Sequence, residues 1–185
     1  MDIQRIHHVA YRCNNAKETV AFYQRVMGMG FQLAISEDRV PSTQEPDPYM
    51  HVFLDAGSGN VLAFFEVPGS PPMQKDPNTP EWVQHIAFEV ADLEALESAR
   101  KRAEAEGLDV LGPIDHTLFQ SIYFFDPNGH RLEVVANTAQ PGMLERLRDV
   151  APAMVEEWDT TKRAPRHAAW LHTDAGRGGD PSERE

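Results

Sequence analysis

The sequence predicts an α+β fold built from two βαβββ modules in tandem, followed by a C-terminal helix. Three observations predict it. Ile6-His7-His8-Val9-Ala10-Tyr11-Arg12 and Val83-Gln84-His85-Ile86-Ala87-Phe88-Glu89 repeat one pattern, with His, a β-branched residue, Ala, an aromatic and a charged residue in order. Each stretch precedes a capped helix signal. Each helix signal precedes three short apolar runs, the last two of which join through an Asp-containing turn.

The elements follow in order. The two repeats are rich in β-branched and aromatic residues and read as strands. After the first, Asn15 is the N-cap with Glu18 three residues on, and Val20, Tyr23, Val26 and Met27 recur at helical spacing up to Gly28. After the second, Asp92 caps a helix carrying Leu93, Leu96, Ala99 and Ala103, closed by Gly107. Its charges between Glu97 and Glu106 form a solvated face. Further strands are expected at 31–35, 51–54 and 61–67 in the first half, and at 110–113, 121–125 and 131–135 in the second. The turns are Asp55-Ala56-Gly57-Ser58-Gly59 and Asp126-Pro127-Asn128-Gly129.

Ser36 to Tyr49, with three prolines, reads as a loop insertion found only in the first half. Module one spans 3–68, a proline-rich linker 69–80, and module two 81–137. A helical pattern from 141 carries Leu144, Leu147, Val150, Met154, Val155 and Trp158, with Pro152 expected to split it. The Gly-, Asp- and Glu-rich end from Thr173 reads as disordered.

Composition narrows the function. The chain has 185 residues, enough for one domain or two small modules sharing a core. With 29 acidic against 17 basic residues it carries a net charge of −12, which argues against nucleic-acid binding. No apolar run approaches the roughly 20 residues of a membrane helix. Met1-Asp2-Ile3-Gln4-Arg5 lacks the pattern of a signal peptide, and a lone Cys13 fits a reducing cytosol. A cytoplasmic protein is expected.

Strand alternation then sorts the polar residues. His8 shares a face with Ala10, and His85 with Ala87. In the last strand of each half, Glu66 and Glu133 point away from their apolar neighbours. The expectation is that His8, Glu66, His85 and Glu133 occupy equivalent places on one face. Two His with one or two carboxylates suit Fe(II), Mn(II), Ni(II) or Zn(II), and two His with one carboxylate are the set of non-haem Fe(II) oxygenases. A lone strand histidine is more often a satisfied polar residue than a ligand; the repeat is what favours the metal.

This doubled pattern resembles the vicinal-oxygen-chelate (glyoxalase/bleomycin resistance/dioxygenase) superfamily over about residues 3–137. The resemblance implies paired modules whose sheets curl around one metal. The second half is more specific. His116, a short spacer, Ile122-Tyr123, Asp126-Pro127-Asn128-Gly129 and Glu133 together resemble the pattern of one-domain type I extradiol dioxygenases, of the 2,3-dihydroxybiphenyl 1,2-dioxygenase kind.

Carried over, the resemblance implies His8, His85 and Glu133 as metal ligands, with Glu66 a less certain fourth. It implies His116 as an acid/base near the substrate hydroxyl and Tyr123 as a hydrogen-bond donor to a substrate oxygen. Two-domain relatives carry a further His near the O2 site, before the last strand of the first half; the nearest equivalent in sequence is Asn60. The implied reaction is ring cleavage of a small aromatic diol by O2 with Fe(II), in a homo-oligomer without nucleic-acid or membrane partners. The rival readings are a glyoxalase I-like lyase or isomerase using Ni(II) or Zn(II) with Glu66 as an added ligand, and a binding protein that holds a small ligand without turnover.

Overall fold

The computed structural model describes residues 1–164 and 166–172. The expected disordered end from Thr173 lies outside the described residues. Eight strands and three α-helices run in the order β1 (Val9–Cys13), α1 (Ala16–Arg25), β2 (Gly30–Arg39), β3 (Pro46–Asp55), β4 (Val61–Glu66), β5 (His85–Val90), α2 (Leu93–Ala105), β6 (Leu111–Asp115), β7 (Phe119–Phe125), β8 (Arg131–Asn137) and α3 (Met143–Thr161). A 3₁₀ segment, Arg166–His172, follows. The strands form two four-stranded sheets, β1-β4-β3-β2 and β5-β8-β7-β6, neither of them closed. In each, the first strand lies parallel to the fourth and the other pairs are antiparallel.

The caps explain why the helices start where they do. Asn15 Oδ1 accepts from the Glu18 amide, and Asp92 Oδ1 accepts from the Ala95 amide. Gly28 and Gly107 adopt positive φ just past the helix ends, a conformation that costs a glycine little. On α2, Arg100 bonds both Glu97 and Glu104, which makes the run between Glu97 and Glu106 a solvated, ion-paired face.

Two expectations about local structure need correction. The segment 36–49 is mostly not a loop insertion. The β2–β3 ladder continues through Ser36–Met50, Glu37–Tyr49 and Arg39–Pro46, leaving only a short tip. Pro46 and Pro48 are tolerated because β3 pairs with β4 only from Met50 onward, so the proline stretch has one neighbour instead of two. Pro152 does not split the tail either. It lies within one helix, on an exposed stretch where the Arg148 carbonyl that loses its N–H partner faces water. Met143 is the buried residue of α3, while Leu144, Val155 and Trp158 are exposed.

One core joins the halves. Phe22, Tyr23, Val52, Leu54, Leu62 and Phe64 of the first half cluster with Leu96, Ile122, Phe124, Leu132 and Val134 of the second. Polar groups lock the junction. Asp126, 5 % exposed, accepts from Tyr23 Oη at 3.1 Å and from the amides of Asn128 and His130. Asn128 Oδ1 accepts from the Asn14 amide, and the His130 ring bonds the Arg12 carbonyl at 2.7 Å. The Asp-Pro-Asn-Gly turn therefore clasps the second half to the first.

Candidate metal centre

The second half gathers four polar side chains. Paired residues on neighbouring strands share a face. Ala87 pairs with Glu133 across β5–β8, and Glu133 pairs with Tyr123 across β8–β7. His85, two residues before Ala87, stands on that same face. Its Nε2 lies 2.9 Å from Glu133 Oε2. Tyr123 Oη donates to Glu133 Oε1 at 2.8 Å, and His116 Nε2 lies 2.9 Å from Tyr123 Oη. A tyrosine has one hydroxyl proton and an ionised carboxylate only accepts, so His116 Nε2–H is the donor to Tyr123 Oη. The chain runs His116, Tyr123, Glu133, His85. Burial, and next the hydrogen bond to Glu133, push the Tyr123 hydroxyl above its usual pKa.

His85 and Glu133 suit a divalent cation. Two donors at right angles on a metal with bonds of about 2.1 Å stand about 3.0 Å apart, close to the separation of this pair. Glu133 is 4 % exposed, while the His85 side chain keeps an open flank, 31 % exposed. Among the described residues, however, no group of three or more His, Cys, Asp or Glu side chains could hold one ion. His8, which precedes β1, belongs to another cluster.

That cluster lies on the equivalent face of the first half. The His8 ring stands 5.9 Å from His51 and 5.6 Å from Phe53, and its Nδ1 is 2.8 Å from Nδ1 of His7. His51 is 8 % exposed, stacks on Phe65 at 3.5 Å, and leaves its Nε2 without a hydrogen-bond partner. Burial, with the neighbouring His8 second, lowers its pKa, so the ring is held neutral.

Two expected site residues stand elsewhere. Register explains Glu66. Ala10 pairs with Ala63, as Ala87 pairs with Glu133, so the first-half counterpart of Glu133 is Ala63. Glu66 pairs with Cys13, on the face opposite His8. Its Oε2 accepts from the Ala16 amide at 2.6 Å, at the N-terminus of α1, where a carboxylate is favoured. It is a helix-capping group and not a fourth metal donor in this arrangement.

Asn60 sits in the β3–β4 turn and donates to the Gly57 carbonyl at 3.0 Å. The imidazole near His8 that precedes the last strand of the first half is His51, which sequence reasoning missed. Its signal was alternation with Phe53 along β3; what sequence lacked was the register that sets β3 beside β4.

These features define a class, a paired βαβββ fold with a His–Glu contact on the open face of the second module. The chain belongs to the Glyoxalase/Bleomycin resistance protein/Dioxygenase superfamily, whose model matches residues 5–134. Among solved structures it is similar to the fosfomycin resistance protein FosX from Listeria monocytogenes, at 22% identity and TM-score 0.54, covering 74% of this chain and 96% of that one. FosX from Mesorhizobium loti is similar at 20% identity and TM-score 0.54, covering 80% and 99%. A glyoxylase/bleomycin resistance protein/dioxygenase domain from Frankia sp. EAN1pec is similar at 14% identity and TM-score 0.58, covering 74% and 100%. These likenesses show the shared fold. No helix among the described residues is long and apolar enough to cross a membrane.

Proposed function

We propose that the protein is a metal-dependent extradiol dioxygenase that opens the ring of a catechol-type diol. The observation that carries this reading is the chain His116–Tyr123–Glu133–His85, with contacts of 2.8–2.9 Å. A histidine backed onto a tyrosine beside the proposed metal carboxylate suits taking and returning a hydroxyl proton of a diol.

In this reading His85 and Glu133 hold a divalent metal together with His8 of a second copy, because His8 of the same chain lies with His7 and His51. A homo-oligomer follows. When bound, Fe(II) would lower the pKa of the diol hydroxyls and exchange electrons with O2. Mn(II), present in two FosX structures, is an alternative occupant. Tyr123, held protonated, would turn its one hydroxyl proton from Glu133 to a substrate oxygen once Glu133 holds the metal. His116 takes a hydroxyl proton and returns it to the departing oxygen. His51 accompanies His8 and lends a neutral imidazole to the O2 side, which Asn60, in the β3–β4 turn, does not reach.

The test is to load the metal-free protein anaerobically with Fe(II), add catechol or 2,3-dihydroxybiphenyl, and admit air. Oxygen uptake with a yellow ring-opened product is expected. No uptake with any catechol, alongside metal-dependent turnover of fosfomycin or of a glutathione hemithioacetal, would overturn the reading.

A further inference from the structure

Arg131 opens β8 and pairs with His85 of β5, so both side chains rise from the face that carries Glu133. Neighbouring strands set their Cα atoms about 4.8 Å apart. The guanidinium lies 4.4 Å from the centre of the Tyr123 ring. Its Nε is buried without a hydrogen-bond partner, and the Arg131 side chain forms no hydrogen bond or ion pair among the described residues. Lys75 is already bonded to Glu81 at 2.5 Å, and Glu81 feels Arg131 only at a distance.

Arg131 and His85 together border a cavity of about 700 Å³, whose other walls include Tyr11, Val83 and Phe125 and the charged Lys75, Asp76 and Glu81. This is a chamber of mixed lining at the edge of the candidate metal centre, in which Lys75 pairs with Glu81, Asp76 is bonded to Thr79, and the Arg131 guanidinium makes no direct hydrogen bond or ion pair. Leaving a half-buried cation unpaired costs free energy that an anion entering the chamber would recover.

We propose that this cavity is the substrate pocket and that Arg131 binds a carboxylate carried by the aromatic ring. The substrate class is then a carboxylated catechol, in preference to a neutral diol such as 2,3-dihydroxybiphenyl. The planar guanidinium, steadied by the face of Tyr123, offers two parallel N–H donors that match a carboxylate. The diol part of this proposal rests on the ring-cleavage reading; the carboxylate contact does not.

Two arms separate them. In the first, the metal-free full-length protein is titrated calorimetrically with phenylacetate and with 2-phenylethanol. The acid should bind more tightly by on the order of 30-fold, the scale of a hydrogen bond to a charged group. Arg131→Met should abolish that preference and Arg131→Lys retain part of it, each with a melting curve to verify folding. Equal affinity for acid and alcohol, binding of neither, or an undiminished preference in Arg131→Met overturns the proposal.

In the second, the Fe(II)-loaded protein receives 3,4-dihydroxyphenylacetate or 4-methylcatechol in air. The ratio of kcat/KM should favour the acid by a similar factor and fall towards one in Arg131→Met. Equal kcat/KM for the two diols in the unaltered protein overturns the proposal. Oxygen uptake with neither overturns the ring-cleavage reading, and the calorimetric arm then decides the carboxylate site.

Discussion

The two halves share one topology and differ in what their equivalent positions carry. Where the second half has Glu133 beside Ala87, the first has Ala63 beside Ala10. Where the second has Tyr123 opposite Glu133, the first has Phe53 opposite Ala63. The second half thus builds a polar relay into its open face. The first builds an aromatic wall with two imidazoles, His8 and His51, set against it. Duplication supplies a scaffold twice, and the two copies carry different side chains on their equivalent faces.

The division is most severely tested at its centre. Glu133→Gln should release the metal and reduce oxygen uptake by roughly 1,000-fold, measured by metal analysis beside the electrode trace. Undiminished metal content would remove Glu133 from the site.

Mixing tests whether the halves cooperate across copies. His8→Ala and His85→Ala should each be inactive alone. In a random dimeric mixture one site in four pairs two intact halves, so about a quarter of the activity should return. If His8 served its own chain, no activity would return.

Exchanging the aromatic pair comes next. Tyr123→Phe should lower kcat about 10- to 100-fold, while Phe53→Tyr should change it less than about 2-fold. Equal effects would mean that the two halves contribute alike.

Glu66→Gln should leave metal content unchanged and cost about 1 kcal/mol through the weakened α1 N-terminus, a fall of about 2–4 °C in Tm. Loss of metal instead would restore Glu66 as a ligand.

The smallest effect concerns Cys13. Burial pushes its thiol pKa up to about 11, so the native protein should resist iodoacetamide at pH 8. A raised folded pKa favours the protonated form. Its stabilisation is complete below the ordinary thiol value near 9 and declines as pH rises from there towards 11. Rapid alkylation at pH 8 with no loss of secondary structure would contradict the burial.

Much of this was legible in the sequence. The repeated His strands, the caps at Asn15 and Asp92 and the Asp-led turns are local signals, and each reports its own element. Grouping Glu66 with Glu133 failed because both alternate with apolar neighbours in the final strand of a half, yet pairing decides the face, and a shift of an odd number of residues reverses it. Glu66 stands three positions beyond Ala63. The Ser36–Tyr49 hairpin failed for a related reason, since prolines exclude a central strand and not a stretch paired on one side. Sequence located His116, Tyr123 and Glu133 as a motif, but only three-dimensional packing separates His8 from them.

The clasp centred on Asp126 has a consequence for how this protein can change. Because Asp126, Asn128 and His130 bond the halves together at their junction, the 69–80 linker is relieved of that duty. Met73 and Lys75 of the linker instead form part of the chamber wall beside Arg131. Substitutions there can reshape what the chamber admits without loosening the fold, so ligand preference can drift while stability stays fixed.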